Sequence, residues 1–341
     1  MAAGKFSALR SAFSNRNYAI YMCGNSISLI GFWMQRLAVA WLAWILTESE
    51  FWVGAVAFVE IAPLIFVTPL FGVWADRLDR KTMAVIAQLL MMLQAFSLFY
   101  LAWLDLLTIG LLFSLALVEG VIQAAYQPVR LSIIPNLVKK EDLVAASAFT
   151  AVAFNVARFI GPALAGGVML VFGPAIAILF NAVSYLLILV AWFFIDLPER
   201  IIGSESKSFF RDIRDGYHYV VEKPGLLAMF VLLTVVSFFA RPVAFMLSAF
   251  VGGVYEAGEG TLALFTSAMG VGAVLAGLRI SMDGQTRGLV REILWMTLVA
   301  ILTLIGFASI KTVWIATGLI LVFGYAITIG SVAGQTLVQN S

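Results

Sequence analysis

The sequence predicts an all-α membrane protein, a six-helix bundle followed by an incomplete bundle of four helices. Three observations predict it. The 341 residues are 62% hydrophobic and 12% Asp, Glu, Lys or Arg, with a mean hydropathy of +1.01; soluble domains carry about 25% charge. Ten apolar runs of 18 residues or more follow one another without period-two alternation, and a bilayer core about 30 Å thick needs roughly 20 such residues per helix. The first four runs return 205 positions later.

In chain order the runs are Tyr18–Leu46, Val53–Ala75, Met83–Leu104, Leu107–Val129, Leu143–Phe172, Ala175–Ile195, Leu226–Val251, Leu262–Ile280, Ile293–Ile310 and Val313–Ala333. Helices satisfy their own backbone in lipid, whereas barrel strands would alternate. Lys5, Arg10 and Arg16 before the first run resemble a signal-peptide start. That run is far longer than an h-region of about 7–15 residues, so it is read as a retained first helix. Pro63 and Pro69 in the second run, Pro162 in the fifth and Pro242 beside Arg241 in the seventh are hinge candidates.

Counted along alternate connections, the N-terminus and the 2–3, 4–5, 6–7 and 8–9 loops hold 17 of the 21 Lys and Arg residues, and the opposite side holds only Lys311. The positive-inside rule therefore predicts a cytoplasmic N-terminus and a multi-pass protein of the inner, cell membrane. The long polar stretch Asp196–Gly225 carries Phe209, Phe210, Ile213, Tyr217, Val220 and Val221 at helical spacing, an amphipathic linker lying along the inner membrane surface. Residues 1–196 then form the N-terminal bundle, 197–225 the linker and 226–341 the C-terminal bundle. The 205-residue offset carries Arg36 to Arg241 and Gly72 to Gly277. It also places the partners of helices five and six beyond Ser341, so the expected parent is a twelve-helix protein built of two parallel repeats.

Composition excludes several classes. A net charge of +2 with no basic tail argues against nucleic acid, and the single cysteine, Cys23, forms no internal disulfide. Metal-ligand clusters and cofactor motifs are absent from the sequence. The only histidine, His218, falls in the linker, and no aspartate or lysine falls within a run. Ser–His, Ser–Lys and aspartyl-pair catalysis at membrane depth are thereby excluded, and no catalytic residue is predicted.

Besides Arg279, one residue from the end of the eighth run, five ionisable residues fall within runs: Arg36, Glu60, Glu119, Arg158 and Arg241. Each costs about 2.5–3.5 kcal/mol at a helix centre, so each is expected to face a partner or a watery path. The plain alternative is structural pairing, Arg36 with Glu60. A carboxyl group held away from water changes its proton affinity with its surroundings. Glu119, near the middle of helix four, is the first choice for a proton or substrate site.

Gly72-Val-Trp-Ala-Asp76-Arg77-Leu-Asp79-Arg80-Lys81, at the end of the second run, resembles the signature loop of major facilitator transporters. The resemblance implies a cytoplasmic latch, with Asp79 standing where the family motif has glycine. Asn155-Val-Ala-Arg158-Phe-Ile-Gly161-Pro162-Ala-Leu-Ala165-Gly166-Gly167 resembles the antiporter motif Gly-Pro-x-x-Gly-Gly, with Ala165 shifting the glycine pair by one. Asn155, Arg158, Pro162 and Gly166 share a helical face. With Gly31-Phe-Trp-Met-Gln35-Arg36 and Gln127-Pro128-Val-Arg130-Leu-Ser-Ile-Ile-Pro135, these segments resemble the drug/proton antiporter branch that holds macrolide efflux proteins and the enterobactin exporter. The resemblance implies helices one, two, four, five and seven around a central cavity. It further implies export of a small amphipathic or lipophilic substrate in exchange for protons, by a monomer with no cofactor. Trp33, Phe58, Tyr126, Phe238 and Phe245 are the candidate aromatic lining. An importer of the same fold and a non-transporting receptor are the competing readings.

Overall fold

The computed structural model describes residues 11–75, 79–196, 243–283 and 288–339, with residues 222 and 227. The regular elements among them are helices: α1 (Arg16–Thr47), α2 (Glu50–Ala75), α3 (Arg80–Trp103), α4 (Ile109–Leu137), α5 (Leu143–Phe172), α6 (Pro174–Phe193), α7 (Val243–Ala249), α8 (Glu259–Asp283), α9 (Leu289–Ser309) and α10 (Val313–Gln339). α7 continues as a π-helical turn, Phe250–Val254, and a 3₁₀ turn, Lys140–Asp142, precedes α5. Nine of the described helices are long and apolar enough to cross a membrane. The run expected from Leu226 is described continuously only from Val243, and the linker apart from Glu222, with Asp76, Arg77, Phe238, Arg241 and Pro242, lies outside the described residues.

Local chemistry sets the helix ends. Asn15 accepts from the backbone N–H of Asn17 at 3.1 Å, Asp79 from Thr82 at 2.7 Å and Thr108 from Leu111 at 3.3 Å, each an N-cap satisfying an orphan donor. The hydrogen bond from Thr82, helped by the charge of Lys81, holds the Asp79 carboxyl below its ordinary range. Gly173, at φ +80°, turns the chain between α5 and α6, and Pro174 starts the next helix where its missing donor costs nothing.

One boundary differs from the sequence expectation. α4 does not stop at Val129 but runs through Pro128 and Pro135 to Leu137. Proline breaks helices in water, yet in membrane helices neighbouring groups satisfy the freed carbonyls. Arg130 therefore belongs to a helix rather than to a basic loop.

Small residues decide which helices touch. A Cβ on Gly31 would lie 2.5 Å from Ser184 Oγ, and one on Gly24 2.9 Å from Ile188 Cδ1, so α1 and α6 lie flush. α2 packs on α4, and α8 packs on α10 in the corresponding positions 205 residues later. Gly272 there meets the Leu321 carbonyl and Gly324 the Met269 carbonyl.

The two halves meet where α5 packs on α8 and α7 on α1 and α2. One apolar core, including Trp41, Ala43, Phe265 and Phe307, runs across both halves at the Thr47 end of α1. The core at the Arg16 end, around Tyr18, Tyr21 and Trp192, belongs to the first half alone. Among the described residues the halves are thus packed together at that end, and a space lies between them further along α1.

Candidate functional site

That space is a cavity of about 400 Å³ lined by α1, α2, α4, α5, α7, α8 and α10. Arg36 on α1 holds Glu60 on α2, with Nη2 at 2.9 Å and Nε at 3.0 Å from the same carboxylate oxygen. Both side chains are largely buried, 12% and 7% exposed. The guanidinium also lies 5.4 Å from the rings of Phe32 and Trp33 and 4.5 Å from Phe245 of α7. Arg36 therefore joins the first half to the second through a cation–π contact. Gly120 lets α4 approach this pair: a Cβ there would sit 2.7 Å from the Glu60 carbonyl.

Glu119, the residue before Gly120, is 3% exposed. Its Oε2 accepts from Gln35 Nε2 at 2.8 Å, and its Oε1 is buried without a hydrogen-bond partner among the described residues. Gln35 also donates to Gln94 Oε1 at 3.2 Å and accepts from Asn181 Nδ2 at 2.9 Å. Four helices of the first half, α1, α3, α4 and α6, are tied to one carboxyl group. Consecutive residues on a helix point about 100° apart, so Gln35 and Arg36 address two different carboxylates. An unsatisfied buried oxygen costs about 1–3 kcal/mol.

The closed end is held by polar and aromatic contacts between the halves. Trp41 Nε1 donates to Glu259 at the start of α8 at 3.0 Å. Trp44 fills the space beside Gly252 and Gly253 in the π-helical turn. Along the α5–α8 seam, a Cβ on Gly166 would lie 2.5 Å from Ala263 Cα, and Thr266 Oγ1 donates to the Pro162 carbonyl at 3.4 Å.

A family model described as transmembrane secretion effector, one of the major facilitator families, matches residues 7–340. The chain belongs to that family. Among curated relatives, the chain is 24% identical over 172 residues to the staphyloferrin A transporter of Staphylococcus aureus, covering 48% of this chain and 42% of that protein. It is also 24% identical over 267 residues to YfiS of Bacillus subtilis, an uncharacterized MFS-type transporter, covering 76% of this chain and 63% of the relative. The matches thus span 42% and 63% of the length of these relatives. Two solved structures share the fold at a TM-score of 0.68. One is an inward-facing bacterial homologue of the human lysosomal transporter Spinster, at 13% identity over 94% of this chain and 75% of that one. The other is an inward-facing bacterial homologue of the iron transporter ferroportin, at 16% identity over 95% and 84%. The chain is a multi-pass membrane protein of the major facilitator fold.

The residues singled out from sequence are distributed unevenly in the structure. Arg36, Glu60, Glu119, Arg158 and Pro162 all line the cavity. Asn155 is not among its lining residues; it is exposed and donates to the Ala151 carbonyl one turn back at 2.8 Å. Gly161 faces α1, where a Cβ would lie 2.5 Å from that of Trp33, Gly166 faces α8, and Gly167 faces open space. The expected shared face of the motif is therefore split between two neighbours and the cavity. In the loop motif, Arg80 donates to the Ser132 carbonyl at 3.3 Å and Lys81 to the Ile195 carbonyl at 2.5 Å, both within the first half. Gly72 is in α2 with its surroundings outside the described residues. Of the candidate aromatics, Trp33 and Phe245 line the cavity and Tyr126 is buried inside the first bundle. Phe58 is 69% exposed on the outside of α2 and does not line the cavity.

Sequence reasoning passed over Arg130, Asn181, Gln94 and Glu259. Arg130 was legible as a charge but fell after a proline. Glu259 read as loop. The amides carry no charge to make them conspicuous in an apolar run.

Proposed function

We propose that this chain exports small amphipathic molecules, of drug or siderophore type, in exchange for protons, by alternating access. Residues 1–196 and 226–341 rock about the cavity, with 197–225 as the linker and Glu119 as the proton carrier. The carrying observation is Glu119 itself, a nearly inaccessible carboxyl on the wall of a cavity shared by both halves, with one oxygen unpartnered. A group so placed is loaded from one side and unloaded to the other as the halves move.

The family's description as a secretion effector supports export, and the relative named for staphyloferrin A supports a siderophore-type cargo. The excess of Lys and Arg on alternate connections supports a cytoplasmic N-terminus in the inner membrane. In that orientation the closed Trp41–Glu259 end faces outward and the cavity opens to the cytoplasm. Gly72, Asp76, Arg77, Arg80 and Lys81 act as the latch of the opposite, outward-open state. Arg241 is the counterpart of Arg36 by the 205-residue offset, and the molecule works as a monomer.

Inverted membrane vesicles carrying the full chain and acidified inside by respiration test this reading. Ethidium or 2-naphthoate added outside should draw protons from the lumen, read with a pH-sensitive dye. The Glu119→Gln variant should lose that response. Silence of the wild type towards both probes defeats the exporter reading, and a full response in Glu119→Gln removes Glu119 as the carrier.

A further inference from the structure

We infer that the first half holds a site for one small anion, a halide, in a polar side chamber between α1, α3, α4 and α6, with Arg130 as its cation. The inference goes beyond the transport reading and does not depend on the larger cavity being a cargo site.

The chamber has a volume of about 30 Å³ and is lined from those four helices. Phe32, Gln123 and Arg130 stand on the wall it shares with the larger cavity. A single water needs roughly 10–15 Å³, so the chamber has room for one monatomic ion and none for an organic cargo.

The groups that line it are polar and unpartnered. The hydroxyls of Tyr126 on α4 and Tyr185 on α6, and Oε1 of Gln88 on α3, are buried without a hydrogen-bond partner among the described residues. All three residues line the chamber, and each is 5% exposed or less. Buried polar atoms left without a partner are costly, so three around one small space call for an occupant. Each hydroxyl can turn its O–H inward, and the Gln88 amide, turned over, presents its N–H in place of its oxygen. Asn25 and Ser28 of α1 add further donors. Among the described residues no carboxylate lines the chamber.

Charge decides between a water molecule and an anion. Arg130 lies inside α4, at membrane depth, with its guanidinium 5.5 Å from the Phe154 ring. No carboxylate pairs with it among the described residues. Glu119 is eleven residues earlier on the same helix, a rise of about 16 Å, and is held by Gln35. Glu60 is taken by Arg36, and Asp142, past the end of α4, accepts from Ser11 at 3.0 Å. A guanidinium at this depth is expensive without a counter-charge. Its N–H groups, with the hydroxyls and amides, form a cradle that carries one positive charge and no negative one. Water would satisfy the hydroxyls and leave the charge uncompensated; a halide answers both.

The test is the line width of the chloride NMR signal, titrated over the purified full chain in lipid nanodiscs in sodium gluconate. A bound halide tumbles with the particle and broadens the averaged signal. Wild type should broaden it saturably relative to empty nanodiscs. Bromide should compete, and sulfate, too large for the chamber, should not. Arg130→Gln should abolish the saturable part, whereas Arg130→Lys, which keeps the charge, should retain weakened binding. Tyr126→Phe and Tyr185→Phe, which keep the rings, should each weaken chloride by about tenfold, the worth of one hydrogen bond to a charged group. Chloride should also raise the heating midpoint of wild type but not of Arg130→Gln, because it binds the folded state alone. Should Arg130→Gln fail to fold, the two phenylalanine variants decide. Absence of saturable broadening by wild type, undiminished binding in Arg130→Gln, or unchanged affinity in both phenylalanine variants overturns the inference. Sulfate competing as well as bromide overturns it too, by putting the anion in the larger cavity. Neither readout uses a proton gradient, so the result stands whatever the vesicle assay gives.

Discussion

Replacing Glu60 by glutamine keeps the shape of the side chain and removes only its charge. Arg36 would then be left at 12% exposure without its counter-charge, still stacked near three aromatic rings. Breaking one side of a buried pair costs about 3–5 kcal/mol, most of it the penalty of the stranded charge. The pair is buried enough that solvent screening takes little from this figure. The cation–π contacts recover part of it, about 0.5–2 kcal/mol, so a net loss of about 2–4 kcal/mol is expected. Removing both charges together, Arg36→Met with Glu60→Leu, should cost less than either single change, because neither partner is stranded. Fluorescence-detected size-exclusion chromatography after heating reads the unfolding midpoints of wild type, Glu60→Gln, Glu60→Leu, Arg36→Met and the double variant in detergent. Domains of 150–250 residues lose about 2–4 °C per kcal/mol, so Glu60→Gln should fall by roughly 4 °C or more. A midpoint for Glu60→Gln equal to wild type, or single effects that simply add in the double variant, would refute the claim that this pair is held as a unit.

Gly166→Ala and Gly167→Ala should differ sharply although the residues are neighbours. The first places a Cβ 2.5 Å from Ala263 Cα and should slow vesicle transport severely, whereas the second meets nothing within 4 Å and should leave transport and melting unchanged. Asp79→Ala removes the N-cap of α3 and should cost about 1 kcal/mol, with Asp79→Asn retaining most of it, read by the same heating assay. Because the Asp79 carboxyl is held below its ordinary range, its contribution is complete above the ordinary carboxylate pKa of about 3.9 and fades as pH falls through the lowered value. Wild type and Asp79→Asn should therefore converge below about pH 4 and keep a constant difference from pH 5 upward. Gly72→Leu and Asp76→Asn should slow transport while leaving membrane insertion intact, and normal rates in both would remove the latch.

The membrane makes the fold legible, because every span must supply about 20 apolar residues whatever its tertiary partners. The 205-residue repeat is visible for the same reason, and α8, α9 and α10 begin within a few residues of where the offset sets them. Charges at membrane depth are equally conspicuous, which is how Arg36, Glu60, Glu119 and Arg158 stand out as one group before any coordinates. The mistakes have physical causes too. Pro128 reads as an ending, yet α4 continues past it and carries Arg130 into the cavity wall. The hold on Glu119 is exerted by Gln35, with Gln94 and Asn181 behind it, neutral amides whose insertion cost is too small to mark them in an apolar run. Which neighbour each glycine faces depends on helix rotation, so Gly161, Gly166 and Gly167 look alike in sequence and have three different surroundings.

α1 bears on all of these contacts at different heights, and this predicts which of them must break. Gly31, Gln35 and the Glu60 side of Arg36 bind α1 to its own half, through α6, α4 and α2. Trp41, Trp44 and the Phe245 side of Arg36 bind it to the other half. Opening the closed end separates the second set and leaves the first intact. The Trp41–Glu259 hydrogen bond, with a charged acceptor, is worth about 1.5–3 kcal/mol. Trp41→Phe keeps the aromatic packing and deletes that bond, so it should shift the balance towards the open end by about tenfold or more. Met169, buried on α5 beside this seam, reports the change when replaced by cysteine in a Cys23→Ser background. An impermeant maleimide added outside intact cells should label Met169→Cys faster when Trp41→Phe is present. Unchanged labelling would mean that the hydrogen bond does not hold the closure, and that the packing of Gly166 on Ala263 and of Trp44 on Gly252 suffices without it.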